Sequence, residues 1–423
     1  MIGEFVKRQT SVFDRASIPR DGALRLVRVG RGPVQVVDES VVVHQASSLR
    51  ARVLQRGLRI VIKPTLTLLP FNDHTIKLLR RMDAISALGP RSRYVEPFEY
   101  RLGGVRVEQM AHRFGPDSDL TVLYFHGGGF FSCGIETHRR LCERLALITG
   151  GSVISVDYIQ LPDGTVADSV QDAISAYVAL LEQVPHPDKI IVAGDSAGGY
   201  LAMKVAEIAK RRGLQTPAAI IGFSPLLSLD PDRFDKGIEK VSRMNDAYLP
   251  VRKVRVVRRR WLSRDNAIEG CESPLDAAEY IDAPTFMTAV EDEMLRPEVE
   301  AMALQLAARG VEVETHLWRG QVHAFPVLAD LLPESREAVR LAGRFARVAV
   351  GEPVKPEASE ESGSVSVEPI VGELVPEEPV EQPVIDGYVV GEAPTAPGPQ
   401  AQPAAPQPKR KQRWWSRWRR RTA

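Results

Sequence analysis

The chain has 423 residues, of which 44% are hydrophobic, and its net charge is +1. This length suits one large domain with a subdomain, or two domains, and the balanced charge excludes a strong overall attraction to nucleic acid or membrane. The three cysteines are too few and too scattered for a disulfide framework or a zinc site, which favours a reducing compartment. Residues 1–20 are charged and lack an apolar core, so we expect no secretory signal and a cytoplasmic protein.

Two helical patterns, at 47–62 and 74–88, come first and belong to no strand–helix unit. The apolar stretch 58–71 is shorter than the ~20 residues of a membrane span, and we interpret it as a buried or interfacial helix. From about residue 105 to 350, apolar runs alternate with amphipathic segments, which predicts an α/β fold with a mostly parallel, doubly wound sheet. The predicted strands are 120–126, 151–157, 189–193, 218–223, 284–290 and 311–317, and the predicted helices are 137–147, 167–181, 197–211, 298–308 and 334–348.

These patterns divide the chain into four parts. Residues 1–100 hold an N-terminal segment with cap helices, and residues 101–351 form the catalytic domain, with a basic insertion at about 230–271. We predict that the N-terminal helices and the insertion cap the site; peripheral packing helices are the alternative. Residues 352–408 are acidic and proline-rich, and we predict a disordered linker because they bury too little apolar surface to offset ordering. Residues 409–423 form a basic tail with three tryptophans among eight Lys and Arg residues.

A serine lies where one predicted strand gives way to a helix. The segment Gly194-Asp195-Ser196-Ala197-Gly198 follows an apolar run and precedes the helix at 197–211. A G-x-S-x-G pattern alone is weak evidence, but in a strand–turn–helix context it forces the serine into a strained conformation with its hydroxyl exposed. We therefore predict that Ser196 is a nucleophile. The amide of Ala197, at the start of the helix, is a predicted oxyanion donor, and Asp195 is a predicted supporting residue.

Three successive glycines follow an earlier strand, in His126-Gly127-Gly128-Gly129. A flexible loop is one interpretation, but such a segment also lets backbone N–H groups turn inward, as an oxyanion hole requires. We assign the donors to Gly127 and Gly128. We predict that His126 and Gly129 support the loop. His126 is less suited to be the catalytic base, because it precedes the serine in the chain and would be held in place by shaping this turn.

A serine nucleophile also needs a base and an acid. His323 lies in a loop just after the last predicted strand, at the carboxyl edge of the sheet, and is the predicted base. Asp292 follows the strand at 284–290 and is the predicted acid, with Glu291 and Glu293 as the alternatives. The order Ser, Asp, His is the one expected of an α/β-hydrolase.

These motifs together resemble the hormone-sensitive-lipase family of α/β-hydrolases over about residues 50–350. The resemblance rests on the HGGGF and GDSAGG segments, with Val156-Asp157-Tyr158 between them. It implies the α/β-hydrolase fold, carboxylic ester hydrolysis through an acyl-enzyme, a cap built partly from N-terminal helices, and no cofactor or metal. Two segments differ from the family: Arg-Leu-Ala-Pro-Glu is replaced by residues 159–163, and Pro-Leu-x-Asp does not follow Asp292.

Several functional alternatives stay open. The fold could serve as a non-catalytic ligand-binding module, or the same machinery could hydrolyse amides or transfer acyl groups. The substrate is expected to be a small-molecule ester, either lipid-like or with a small acyl group. The tail, residues 409–423, is expected to bind an anionic membrane surface at its inner face, since tryptophans and cations together favour headgroups. A solvated tail, or one bound by the acidic linker, is the alternative; no nucleic-acid partner is expected and no oligomeric state is predicted.

Overall fold

A computed structural model of the chain describes residues 35–38, 41–87, 89, 91–230, 246–250, 256–258, 261 and 267–354. The predicted tail and nearly all of the predicted linker lie outside the described residues, as does most of the basic insertion. Within the described part, no helix is both long and apolar enough to cross a membrane.

The described strands form one ten-stranded sheet in the order β1-β2-β10-β9-β8-β7-β5-β6-β4-β3. The strands are β1 Gln35–Asp38, β2 Val41–His44, β3 Val95–Leu102, β4 Val105–His112, β5 Thr121–Phe125, β6 Ser152–Val156, β7 Ile190–Asp195, β8 Ala219–Phe223, β9 Thr285–Val290 and β10 Val313–Trp318. Strand β2 and strands β5 to β10 run parallel, while β1 and the β3–β4 hairpin are antiparallel to their neighbours. The predicted fold class is therefore confirmed.

Helices cover both faces of the sheet because the central strands are apolar on both sides. Leu123 and Phe125 of β5 join one core cluster, and the alternate residues Val122 and Tyr124 join the other. The helices are α1 Leu49–Gly57, a π-helix Leu58–Ile62, α2 Lys63–Leu68, α3 Asp73–Ser86, α4 Ile135–Thr149, α5 Val166–Gln183, α6 Ala197–Arg211, α7 Arg296–Ala308 and α8 Pro333–Ala349. Helices α5, α6 and α7 pack on the first side, and α4 and α8 on the second.

The carboxyl ends of strands β5, β7, β9 and β10 bring the predicted site residues to one edge of the sheet. In the strand register, Phe125 of β5 pairs with Gly194 of β7, and Val290 of β9 pairs with Trp318 of β10. The loops that follow these strands carry the glycine segment, Ser196, the predicted acid and His323. Open α/β sheets bind their ligands at this edge.

Candidate active site

The turn between β7 and α6 holds Ser196 in a strained conformation. Its backbone angles, φ 50° and ψ −116°, lie outside the regions that side chains other than glycine favour. Two flanking glycines permit the turn: a Cβ on Gly198 would lie 1.9 Å from the carbonyl oxygen of Phe125, and one on Gly194 would lie 2.3 Å from the backbone of Gly198. Ser196 itself is half-buried, so the residue is partly open to solvent at this turn.

His323 meets this hydroxyl directly. Its Nε2 atom lies 2.9 Å from Ser196 Oγ, although the two residues are 127 positions apart in the chain. His323 follows β10 and is buried, with 6% of the residue's surface exposed. The structure thus brings together the serine and the histidine that the sequence predicted.

The carboxylate on the other side of the imidazole belongs to Glu293. Its Oε2 atom lies 2.8 Å from His323 Nδ1, and its Oε1 atom accepts the backbone N–H of Val290 at 2.9 Å. With Nδ1 donating to this carboxylate, Nε2 is left to accept the serine proton. Glu293 was one of the alternatives to Asp292, and the prediction that Asp292 pairs with His323 is wrong.

The turn after β9 explains this correction. The amide of Glu293 donates to the carbonyl of Val290 at 3.2 Å, so the chain folds back and buries Glu293. Glu291 instead pairs with Arg319 at 2.7 Å, and Asp292 is half-buried with its charge acting on the same guanidinium.

Opposing effects set the protonation of His323. Burial lowers its pKa, but the hydrogen bond and charge of Glu293, together with the charge of Asp246, raise the pKa above its usual value overall. The site is therefore arranged to stabilise a protonated imidazole, which is the state a general base reaches after it takes a proton.

Asp246 is a site residue that the sequence reasoning missed. It is 1% exposed and accepts the backbone amides of Tyr248, Leu249 and Met294 at 3.0, 2.8 and 3.2 Å. The Tyr248 hydroxyl donates to the carbonyl of His323 at 3.2 Å. Through Met294 and Tyr248, Asp246 thus connects the turn that carries Glu293 to the loop that carries His323. Burial raises its pKa. No motif marks this residue, because the partners that connect it to the site, Met294 and His323, come from distant segments.

The glycine loop corrects one oxyanion assignment. The amide of Gly127 donates to the Asp195 carboxylate at 2.9 Å, so it is not available to a substrate and the prediction for Gly127 is wrong. The amides of Gly128, Gly129 and Ala197 have no acceptor among the described residues. Gly128 and Gly129 both have positive φ, 111° and 65°, a conformation that glycine adopts at little cost.

Asp195 anchors this loop from beneath. Its buried carboxylate accepts the Tyr124 hydroxyl at 2.7 Å and lies 3.1 Å from His138 Nε2. Burial raises the pKa of Asp195, but the His138 charge and hydrogen bond lower the pKa overall. Burial also lowers the pKa of His138, yet the charge and hydrogen bond of Asp195 raise the pKa overall, so each group favours the charged form of the other. The sequence reasoning named Asp195 as supporting but missed Tyr124 and His138.

His126 has the loop contacts expected of a supporting residue. Its Nδ1 atom lies 2.8 Å from the carbonyl of Gly127, and its ring stacks on Tyr158 with centroids 4.4 Å apart. Burial and the neighbouring His138 lower the pKa of His126 to about 4, so it is neutral.

One described residue of the basic insertion also contacts the loop. Trp261 donates its indole N–H to the carbonyl of Gly129 at 2.9 Å and packs edge-on against Phe130, with ring centroids 5.6 Å apart. This contact holds Trp261 next to the glycine segment. Among the described residues, no group of three or more His, Cys, Asp or Glu side chains is arranged to hold a metal ion.

Comparisons with known proteins agree with this fold. A family model for the α/β-hydrolase fold matches residues 122–327. The chain is 34% identical to esterase LipU of Mycobacterium tuberculosis over 239 residues, 54% of this chain and 78% of LipU. It is 33% identical to the carboxylesterase/phospholipase LipF of the same species over 260 residues, 60% of this chain and 66% of LipF. The crystal structure of EstE7, a hormone-sensitive-lipase homologue from a metagenome library, is 26% identical with a TM-score of 0.60 and covers 70% of this chain and 98% of its own.

The sheet, the strained serine turn and the imidazole beside it define an α/β-hydrolase. Within that class, the chain belongs to the hormone-sensitive-lipase family, as the HGGGF and GDSAGG segments predicted.

Proposed function

We propose that this protein hydrolyses carboxylic esters through an acyl-enzyme intermediate, with Ser196 as nucleophile, His323 as general base and Glu293 as the acid that orients it. The observation that carries the proposal is the continuous hydrogen-bonded chain from Ser196 Oγ to His323 Nε2, at 2.9 Å, and from His323 Nδ1 to Glu293, at 2.8 Å. The free amides of Gly128, Gly129 and Ala197 are the proposed donors to the oxyanion.

The chemistry follows from these positions. His323 takes the Ser196 proton as the oxygen attacks the ester carbonyl, and the negative charge moves to the carbonyl oxygen, which the three amides receive. Collapse of this intermediate breaks the carbon–oxygen bond to the alcohol, and His323 gives its proton to that leaving group. A water molecule, deprotonated by His323, then attacks the acyl-enzyme. The carboxylic acid product is released, and Ser196 regains its proton from His323.

Covalent labelling tests this function against the non-catalytic alternative. A fluorophosphonate probe is expected to label the native protein with one equivalent at Ser196, because an activated serine reacts rapidly with such electrophiles. Mass spectrometry of the labelled peptide identifies the residue, and protein denatured before labelling serves as the control. Equal, slow labelling of native and denatured protein would indicate a ligand-binding module.

The substrate class is proposed from the relatives. LipF is named a carboxylesterase/phospholipase, and a Streptomyces hygroscopicus relative, 28% identical over 235 residues, is named an acetyl-hydrolase. We propose carboxylic esters with small or lipid-like acyl groups as substrates. A series of p-nitrophenyl esters from acetate to palmitate assigns the acyl length.

We also propose peripheral association of the tail, residues 409–423, with an anionic membrane at its cytoplasmic face. The support is its sequence, in which three tryptophans lie among eight Lys and Arg residues. Deleting residues 409–423 is expected to reduce the fraction of protein that floats with vesicles containing phosphatidylserine, whereas phosphatidylcholine vesicles show a much smaller difference. Equal flotation of the full and shortened chains rules the proposal out.

A further inference from the structure

The first helical segment of the chain exposes apolar side chains to solvent. Helix α1, the π-helix and α2 follow one another without a break in helical backbone from Leu49 to Leu68. Along this segment Leu49 is 69% exposed, Val53 60%, Ile60 73% and Leu68 83%. Scattered surface leucines need no explanation, but a run of them on one helical segment marks an interaction site.

The exposed residues lie on the face of the helix that points away from the core. Ala51 is buried, and Leu54 and Leu58 pack against the core cluster of Trp318 and Phe325. Leu49, Val53 and Ile60 have the spacing i, i+4 and i+11, which places them on the opposite side of the same helix. We call these three residues the outer stripe. An amphipathic helix of a soluble protein is normally polar on its outer face. The apolar residues on the outer face of this helix are therefore not explained by packing of the fold.

Basic residues accompany the outer stripe. Between residues 46 and 72 the sequence contains four arginines, one lysine and no Asp or Glu. Arg50, Arg52 and Arg56 are exposed on α1. The segment therefore presents exposed aliphatic side chains together with positive charge. Such a surface complements one that offers both acyl chains and negative charge.

We propose that the outer stripe and its arginines dock this domain onto the surface of an anionic lipid bilayer. The helix would lie in the plane of the interface, with its aliphatic side chains among the headgroups and upper acyl chains and its arginines paired with lipid phosphates and carboxylates. This surface belongs to the folded domain and is separate from the proposed tail contact. It does not depend on the hydrolytic reaction.

The contacts of the segment connect this surface to the site. The side-chain amide of Gln55 donates to the carbonyl of Gln321, two residues before His323, at 3.4 Å. The ammonium of Lys63 donates to the carbonyl of Asp246 at 2.7 Å. Docking through the outer stripe would therefore hold the histidine loop and Asp246 close to the lipid surface, where a lipid-like ester is delivered.

The experiment measures partition of the full-length protein onto vesicles by sedimentation. One variant combines Leu49→Gln, Val53→Gln and Ile60→Gln, which keep the helix but remove the aliphatic surface. The matched control combines Phe114→Gln, Leu331→Gln and Val348→Gln, which are also exposed, at 83%, 58% and 57%. A third variant combines Arg50→Gln, Arg52→Gln and Arg56→Gln. All retain the tail, and thermal unfolding checks that each is folded.

The outer-stripe variant is expected to lose about tenfold in partition onto phosphatidylcholine–phosphatidylserine vesicles, and the matched control to stay at the wild-type value. The arginine variant is expected to lose on the order of a hundredfold on these vesicles and little on phosphatidylcholine alone. Equal partition of the wild type and the outer-stripe variant overturns the proposal. So does a gain in partition, which would mean that the acidic linker covers the stripe. A change from dimer to monomer in analytical ultracentrifugation without a loss of partition would assign the stripe to a second copy instead, and also overturns it.

Discussion

Replacing Ser196 with alanine is expected to lower kcat for a p-nitrophenyl ester by about six orders of magnitude. The change removes the attacking oxygen while the imidazole, 2.9 Å away in the wild type, keeps its carboxylate. The proposed oxyanion donors remain, so a slow reaction with water as nucleophile persists above the uncatalysed rate. Steady-state hydrolysis at saturating ester, compared with the uncatalysed rate in the same buffer, measures the effect.

The fold of this variant must be checked separately. Alanine at a position with φ 50° keeps the backbone strain of serine, so we expect the stability of the variant to change little. Urea unfolding followed by circular dichroism measures this. A folded variant that retains more than about a hundredth of the wild-type kcat would contradict the assignment of Ser196, because a different side chain would then have to supply the attacking atom.

The elements that build the site were largely predictable from sequence. The helix predicted at 197–211 is the observed α6, Ala197–Arg211, and the strand predicted at 284–290 is β9, Thr285–Val290. Strands buried on both faces are continuous apolar runs with glycine or charged residues at their ends, so a single sequence identifies them well. Ser196 and His323 were found because they follow such strands.

The antiparallel edges of the sheet were not predicted. Strand β3, Val95–Leu102, contains a proline and several charged residues, and between its buried end residues the side chains are exposed or half-buried. At a sheet edge one face is solvated, so the apolar signal is weak. The four-residue strands β1 and β2, at the opposite edge, were also not predicted, because so short an apolar run is ambiguous between a strand and other local structure.

The acid and its surroundings could not be predicted for a different reason. Asp292 and Glu293 are adjacent, so position along the chain suits either of them as the partner of His323. The choice is decided by the turn in which the Glu293 amide donates to the Val290 carbonyl. Gly127 was assigned to the oxyanion because its amide was assumed to be free, whereas Asp195 accepts it from 68 residues away. Such contacts depend on three-dimensional packing and leave no local pattern.

Replacing Glu293 with glutamine is expected to lower kcat by about four orders of magnitude. Glutamine matches the size of glutamate, but its amide nitrogen can donate to His323 Nδ1. This favours the tautomer with the proton on Nε2, which cannot accept the serine proton. Loss of the negative charge also removes stabilisation of the imidazolium. Asp292→Asn is the matched control and is expected to change kcat by no more than about threefold, because Asp292 is not part of the hydrogen-bonded chain from Ser196 through His323 to Glu293.

The pH dependence of kcat/KM gives a second, independent readout. Glu293 raises the pKa of His323, and the base must be neutral to accept the proton. Without this carboxylate the pKa of His323 falls, so the acid limb of the profile should move to lower pH in Glu293→Gln and stay in place in Asp292→Asn. The charge of Asp246, which also raises the pKa of His323, limits the size of this shift. If Asp292→Asn loses activity and moves the limb while Glu293→Gln does neither, the acid is Asp292, and the loop after β9 must rearrange before catalysis.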